Sequence, residues 1–306
     1  MTGDYIREEA VAGRMGAELM AIVADGPAGR CYLEATPEQS EEIRSLDPPS
    51  GLPTQAVPYP NHDVDRLPMY GMEAWADAYS VRQQIAMTTF VDVVKGMRER
   101  ILSDAVTAGM PSDGVPFRDG GLGADAYADA VVTYLSFAVD KLADFSSTLC
   151  SWNAPNSQFR YVFSRQAIAM TWDFAEVNPL SGQMGSWRAQ ITAIARSIEN
   201  CLGVGAYEGQ VLQVDARSHL GLVDNVVVST DPPYYDNISY ADVSDYFWIW
   251  LRECLSTVWP DETATLLTPK ASELIANQYR AGSRSAAREH FESGMSELMQ
   301  AMRSAQ

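Results

Sequence analysis

The sequence is poor in the residues that build metal sites and disulfide frameworks. It holds four cysteines, Cys31, Cys150, Cys201 and Cys254, none in a CxxC pair, and three histidines, His62, His219 and His290, scattered among them. Neither a zinc site nor a disulfide-stapled scaffold is indicated, no metal is expected, and the cytoplasm is the default compartment for such usage. Positive charge is scarce too: 22 Lys and Arg stand against 40 Asp and Glu, for a formal net charge of −18. So acidic a chain repels a polyanion, which argues against broad backbone binding by this chain alone and leaves room for a brief visit to one base. Long apolar runs are missing as well. The most apolar aromatic cluster is YFWIWL, 246–251, and the first ten residues include three acids, so neither a membrane span nor a secretory signal is indicated.

What is present is enough for a core. At 306 residues, 46% hydrophobic and 20% charged, the chain folds as one large domain or two small ones. Residues 1–50 hold ten acidic and four basic side chains, and 46–68 holds six prolines, which have no place inside a helix or a central strand. This stretch reads as a boundary or a draping arm. From about 75 the apolar spacing turns helical, in three stripes: Ala86, Phe90, Val93, Met97, Ile101; then Tyr127, Val131, Tyr134, Ala138, Leu142, Phe145, Leu149; then Trp187, Ile191, Ile194, Ile198, Leu202. The glycine-rich GMPSDGVPFRDGGLG, 109–123, follows no strand and reads as a linker between the first two helices rather than a nucleotide loop. Beyond 203, VLQVDA at 211–216 and the valine run ending at 230 read as strands of a buried parallel sheet, with a further strand at 263–268. A helix begins at Ser239, with Asp242 placed for a capping box, and others are expected over 270–277 and 286–303.

One motif carries chemistry on its own terms. Asp231, Pro232, Pro233 and Tyr234 follow the valine run directly. Strand C-termini in α/β sheets are where ligands bind, and the prolines stiffen the backbone without offering competing donors. The Asp231 carboxylate and the Pro232 carbonyl are then two acceptors for the two hydrogens of one exocyclic amine, with Tyr234 as a flat face for the base. Two acceptors favour pyramidalisation of a poorly nucleophilic amine and accommodate the positive charge that grows as a methyl group arrives. The base must leave its stack to reach them.

On these residues the chain resembles a known family. TDPPYYDN, 230–237, is similar to the catalytic motif of amino-methyltransferases that make N6-methyladenine or N4-methylcytosine in DNA. The wider text, RLPMYGMEAWADAYSVRQQ at 66–84, LCSWNAPNSQFRYVFSRQAIAMTWDFAEVNP at 149–179, STDPPYYDNISYADVSDYFWIWL at 229–251 and LLTPKASELIANQYR at 266–280, resembles large prokaryotic adenine-specific DNA methylases, some of them associated with anti-phage loci. The resemblance implies S-adenosyl-L-methionine as cofactor, DNA with an extruded base as substrate, target-amine recognition by Asp231, Pro232 and Tyr234, and contact of Asp215 and Ala216 with the cofactor adenine. Family members are longer and carry upstream a glycine-rich DPFxGxG cofactor loop that nothing in 1–306 matches. The chain thus resembles the middle of a methylase, which implies a missing cofactor-binding segment or subunit as partner.

The resulting expectation is an α/β fold, a Rossmann-like S-adenosylmethionine-dependent methyltransferase with an incomplete sheet and a large, mainly helical insertion. It divides into an acidic, proline-rich arm at 1–70, a helical region at 71–202 and a partial catalytic core at 203–306. Structural readings stand beside the functional ones. Asp231 and Asp215 are also turn formers after strands, Tyr235 is a packing residue, Asp236 and Asn237 shape the turn, and Trp248 and Trp250 are core or interface. Asp173 and Glu176, three apart on one helical face in WDFAEVNP, suggest a metal pair but lack a third ligand nearby. Lys270, Arg280, Arg284 and Arg288 make 267–290 the one locally positive strip, either a phosphate contact or a solvated face. Alternatives to DNA methylation are a catalytically incomplete module that binds nucleic acid or a partner subunit, and methyl transfer to RNA or a protein amide.

Overall fold

The computed structural model describes residues 2–61, 64, 66–164, 167–201, 211, 212, 214–219 and 227–305. In chain order the elements are α1 (Gly3–Val11), β1 (Ala21–Gly26), β2 (Gly29–Glu34), α2 (Pro37–Arg44), α3 (Val81–Thr107), α4 (Ala124–Ala143), β3 (Ser151–Asn153), β4 (Gln158–Arg160), α5 (Trp187–Cys201), α6 (Ala216–His219), α7 (Tyr240–Leu255), α8 (Gln278–Ala281) and α9 (Arg284–Ala305). The fold is mixed α/β, about half helical. Its described strands form two antiparallel hairpins, β1 with β2 and β3 with β4.

The three sequence stripes become α3, α4 and α5, and the core forms where α3, α4 and α7 meet. A capping box between Ser80 and Gln83 starts α3. Its inner face is Met87, Val91 and Val94, one position round from the expected stripe; Val93 is 53% exposed. Both faces of α3 are apolar, and packing against two helices chose the one. The other, with Phe90 stacked on Trp187 at 4.8 Å, faces the start of α5. On α4 the alanines 124, 126, 128, 138 and 143 are buried, and Tyr127 and Tyr134 point outward. The linker between α3 and α4 turns back tightly, and a Cβ on Gly121 would lie 2.1 Å from the carbonyl oxygen of Val115. Arg98 of α3 then meets the buried Asp129 of α4 at 2.7 Å.

Helix α7 inserts the largest side chains. Tyr246, Ile249 and Trp250 are fully enclosed. The Tyr246 hydroxyl donates to the Ala143 carbonyl at 2.8 Å, and Trp250 Nε1 donates to the Tyr79 hydroxyl at 2.9 Å. Tyr79 stacks on Tyr246 with centroids 5.7 Å apart. Buried aromatic polar atoms find partners in this way, and the partners fix how α7 sits on α4. Trp250 is therefore core, as its setting in the sequence suggests. The proline-rich stretch drapes over the same body: Val57 N donates to Glu73 O, and Trp75 N to Gln55 O.

Several expected elements are absent among the described residues. Of VLQVDA, 211, 212, 214 and 215 lie outside regular structure, 213 is outside the described residues, and Ala216 opens α6. Residues 223–226 lie outside the described set, and 227–230 pair with no strand. The segments 263–268 and 270–277 are neither strand nor helix. Hydrophobic runs become strands only when neighbours satisfy their backbone groups, and among the described residues no strand pairs with these segments. WDFAEVNP is not helical either, so Asp173 and Glu176 do not share a helical face; Glu176 instead clamps Arg82 with two hydrogen bonds of 2.8 Å.

Asp140 of α4 is the weak point of this core. Its Oδ1 is enclosed with no hydrogen-bond partner among the described residues, and burial raises its pKa well above the usual carboxylate value. A folded pKa raised above the unfolded value of about 3.9 gives stability that is full below that value and is lost as pH rises toward the folded pKa. Asp140→Asn is therefore expected to raise the thermal midpoint at pH 8 by about 2–4 °C and to flatten its decline between pH 5 and 8. A parallel fall for wild type and variant over that range, followed by calorimetry, contradicts the assignment.

Candidate functional site

The motif forms an open turn immediately before α7. Asp231, Pro232 and Tyr234 are all exposed, and Pro233 is half-buried. The Tyr234 hydroxyl donates to the two Asp231 carboxylate oxygens at 3.3 and 3.4 Å. The negative charge of Asp231 raises the phenol pKa above its ordinary value. No ion pair to Asp231 is found among the described residues, so the phenol is its hydrogen-bond partner there. The turn closes with Asn237 N donating to Tyr234 O at 3.1 Å.

Tyr235 is the structural hinge of this turn. Its φ of +56° is a left-handed conformation that a bulky side chain seldom adopts. Two contacts hold it: Ala276 N donates to its carbonyl at 2.9 Å, and its ring meets Phe291 of α9 edge-on at 5.0 Å. The packing reading of Tyr235 fits this geometry.

The segment that supplies Ala276 is strapped to α7 by charge. Asp242 and Asp245 lie on the buried face of α7, with side chains 2% and 0% exposed. Arg280 reaches Asp242 at 2.7 Å and Glu273 at 2.5 Å, and Lys270 reaches Asp245 at 2.7 Å. Thr268 donates its N–H and hydroxyl to Asp245, Asn61 donates to Asp242, and Glu273 accepts from Ala241 N in the first turn of α7. Each buried carboxylate is thus paired and hydrogen-bonded, as burial of charge requires. Asp242 stands at the position expected of a capping-box acid, and its carboxylate takes up this network. The sequence signal was there to find: two acids three apart on an otherwise aromatic helix face, with basic residues downstream.

Between the turn and this strap lies an open cleft of about 440 Å³, lined by Tyr235, Asp236, Asn277, Gln278, Tyr279 and Arg284 among others. Asn277 is occupied in structure: its Oδ1 caps α8 by accepting from Tyr279 N and Arg280 N, and its Nδ2 donates to Ser239.

Asp215 and Ala216 are brought to α9 rather than into hydrogen-bonding contact with Asp231. Asp215 directly precedes α6 and accepts from Arg217 N at 3.0 Å, while the Arg217 guanidinium binds its carboxylate at 2.6 Å and holds its pKa below the usual range. Arg217 also reaches Glu297 of α9 at 3.4 Å. Glu297 lies six residues from Phe291, roughly 9 Å along the helix, so α9 supports both predicted groups. The described residues do not fit S-adenosylmethionine: the Asp215 carboxylate is taken by an arginine, and no described strand runs into a glycine turn and a helix that would cradle it. The cysteines offer no nucleophile at this site. All four are free thiols, and burial pushes Cys150 up to about 11 and Cys254 up to about 12. Among the described residues no group of three His, Cys, Asp or Glu is placed to hold a metal.

Comparison with protein-family models, with curated proteins and with solved structures gave no match.

Proposed function

We propose that the chain is the target-amine half of an S-adenosylmethionine-dependent amino-methyltransferase, acting on adenine N6 or, second, cytosine N4 of DNA, with the cofactor held by another segment or subunit. The observation that carries the reading is the pairing of Asp231 and Tyr234 at an exposed turn beside a cleft: a carboxylate with no cation on it among the described residues, next to an aromatic face. The Asp231 carboxylate and Pro232 carbonyl accept the two amine hydrogens, and the Tyr234 hydroxyl gives up its hydrogen bond to make room. As the nitrogen becomes tetrahedral and positive, both acceptors strengthen their hold, so their contribution grows toward the transition state. S-adenosylmethionine would supply the electrophilic methyl group when bound. A Rossmann-like core around Asp231 belongs to the same proposal.

A second reading, an accessory module that holds a base or a partner subunit without turnover, is favoured by one observation: among the described residues no parallel strand leads into Asp231. Two measurements separate the readings. Isothermal titration of the isolated chain with S-adenosylmethionine is expected to show no binding in the micromolar range, because its described residues make no cradle for it. Methyl incorporation into unmethylated DNA is expected once the cofactor-binding segment or subunit is supplied. Failure of incorporation by the complete assembly leaves the accessory module.

A further inference from the structure

We propose that Arg284 and Tyr279 form a subsite for the nucleotide flanking the target, Arg284 taking its phosphate and Tyr279 stacking on its base; this rests on the nucleic-acid reading above. The basic strip at 267–290 holds four candidate phosphate ligands, and the structure removes three. Lys270 is paired with Asp245, Arg280 with Asp242 and Glu273, and Arg288 with Glu292 at 2.7 Å. Arg284 alone of the four has a neutral partner: its Nε donates to Gln278 Oε1 at 3.0 Å, which leaves Nη1 and Nη2 without a protein acceptor among the described residues.

Those two nitrogens belong to a residue that lines the cleft walled by Tyr235 and Asp236, directly beside the Asp231 turn. One guanidinium edge suits one phosphodiester, and the nearby Asp236 carboxylate disfavours anything of higher charge, such as a triphosphate. Tyr279, 45% exposed on the same wall, offers the flat face that a base seeks once it leaves its stack. The volume, about 440 Å³, falls within the roughly 300–1,000 Å³ of small-ligand sites. An exposed turn and a single phosphate contact fit an extruded or single-stranded segment, and they fit a chain whose net charge of −18 repels long duplex tracts.

The test is fluorescence anisotropy of the full chain with a short, labelled single-stranded oligodeoxynucleotide containing adenine, at low and at physiological salt, without any methyl donor. Arg284→Gln is expected to weaken binding about tenfold at low salt and to reduce the salt slope by about 0.7, the single-strand value for one lost phosphate contact. Arg284→Lys should keep the slope. Tyr279→Ala should weaken binding by a similar factor with the slope unchanged, because stacking releases no counterions. Arg288→Gln, which removes an exposed pair, should leave both quantities at wild-type values. Absence of wild-type binding, or an Arg284→Gln slope equal to wild type, overturns the subsite. The methyltransferase reading fails separately: a slope change at Arg284 in an assembly that transfers no methyl sinks that reading and leaves the subsite, and Asp231-dependent transfer with an unchanged slope does the reverse.

Discussion

Asp231→Ala is expected to lower methyl incorporation by about 10²–10³-fold in the assembly that contains the cofactor-binding segment, while cofactor affinity stays close to wild type. The asymmetry follows from where the carboxylate acts. In the proposed reaction it accepts from an amine whose positive charge exists chiefly in the transition state, so its removal is expected in kcat rather than in ground-state binding. Tyr234 separates the stacking contribution from the polar one. Tyr234→Ala should weaken both substrate binding and turnover, by about 1–3 kcal/mol for one stacked base. Tyr234→Phe keeps the ring and removes the hydroxyl that donates to Asp231 in the free protein, so activity should be retained. Radiolabelled methyl transfer alongside cofactor titration reads all three variants. Wild-type incorporation by Asp231→Ala would reduce the motif to a structural turn.

Arg280→Met is expected to destabilise the chain by about 3 kcal/mol in urea unfolding, with little change in m. Breaking a buried pair from the cationic side leaves Asp242, 2% exposed, and Glu273, 14% exposed, without their guanidinium. The figure sits at the low end of the range for such breaks because the Arg280 side chain is itself 24% exposed. The double variant Asp242→Leu, Arg280→Met should recover part of the loss, since it removes the more deeply buried of the two carboxylates left without the guanidinium, while Glu273 keeps its hydrogen bond from Ala241 N. Equal stabilities for the single and double variants would show that the loss is one of packing alone. The strap also carries Ala276, whose amide holds Tyr235 at positive φ, so the single variant should loosen the Asp231 turn as well.

Some of this was legible from residue order alone. Helices α3, α4, α5, α7 and α9 follow from apolar spacing, because a helix face repeats every 3.6 residues whatever it packs against. The linker reading of 109–123 follows from glycine and proline chemistry, and the turn at Asp231 from the proline pair after the valines; its exposure does not. The chemical argument for Asp231, Pro232 and Tyr234 likewise depends only on donor and acceptor types in one short run of sequence.

Other features belong to the tertiary structure. Which face of α3 turns inward was decided by α4 and α7, because both faces were apolar and periodicity does not choose between them. VLQVDA reads as a strand by composition, but a strand needs neighbours for its backbone, and Asp215 instead directly precedes a helix with Arg217 on its carboxylate. The charge balance of the 267–290 strip was also hidden: Asp245 lies 25 residues before Lys270 and Asp242 lies well before Arg280, yet they pair with them in space, while Arg284 has a neutral partner. Local pattern determined what this chain's elements are and which residues carry its motif, because those depend on neighbours in sequence. Pairing across long separations determined which charges remain free and which surfaces are buried, because those depend on neighbours that only the folded chain brings together.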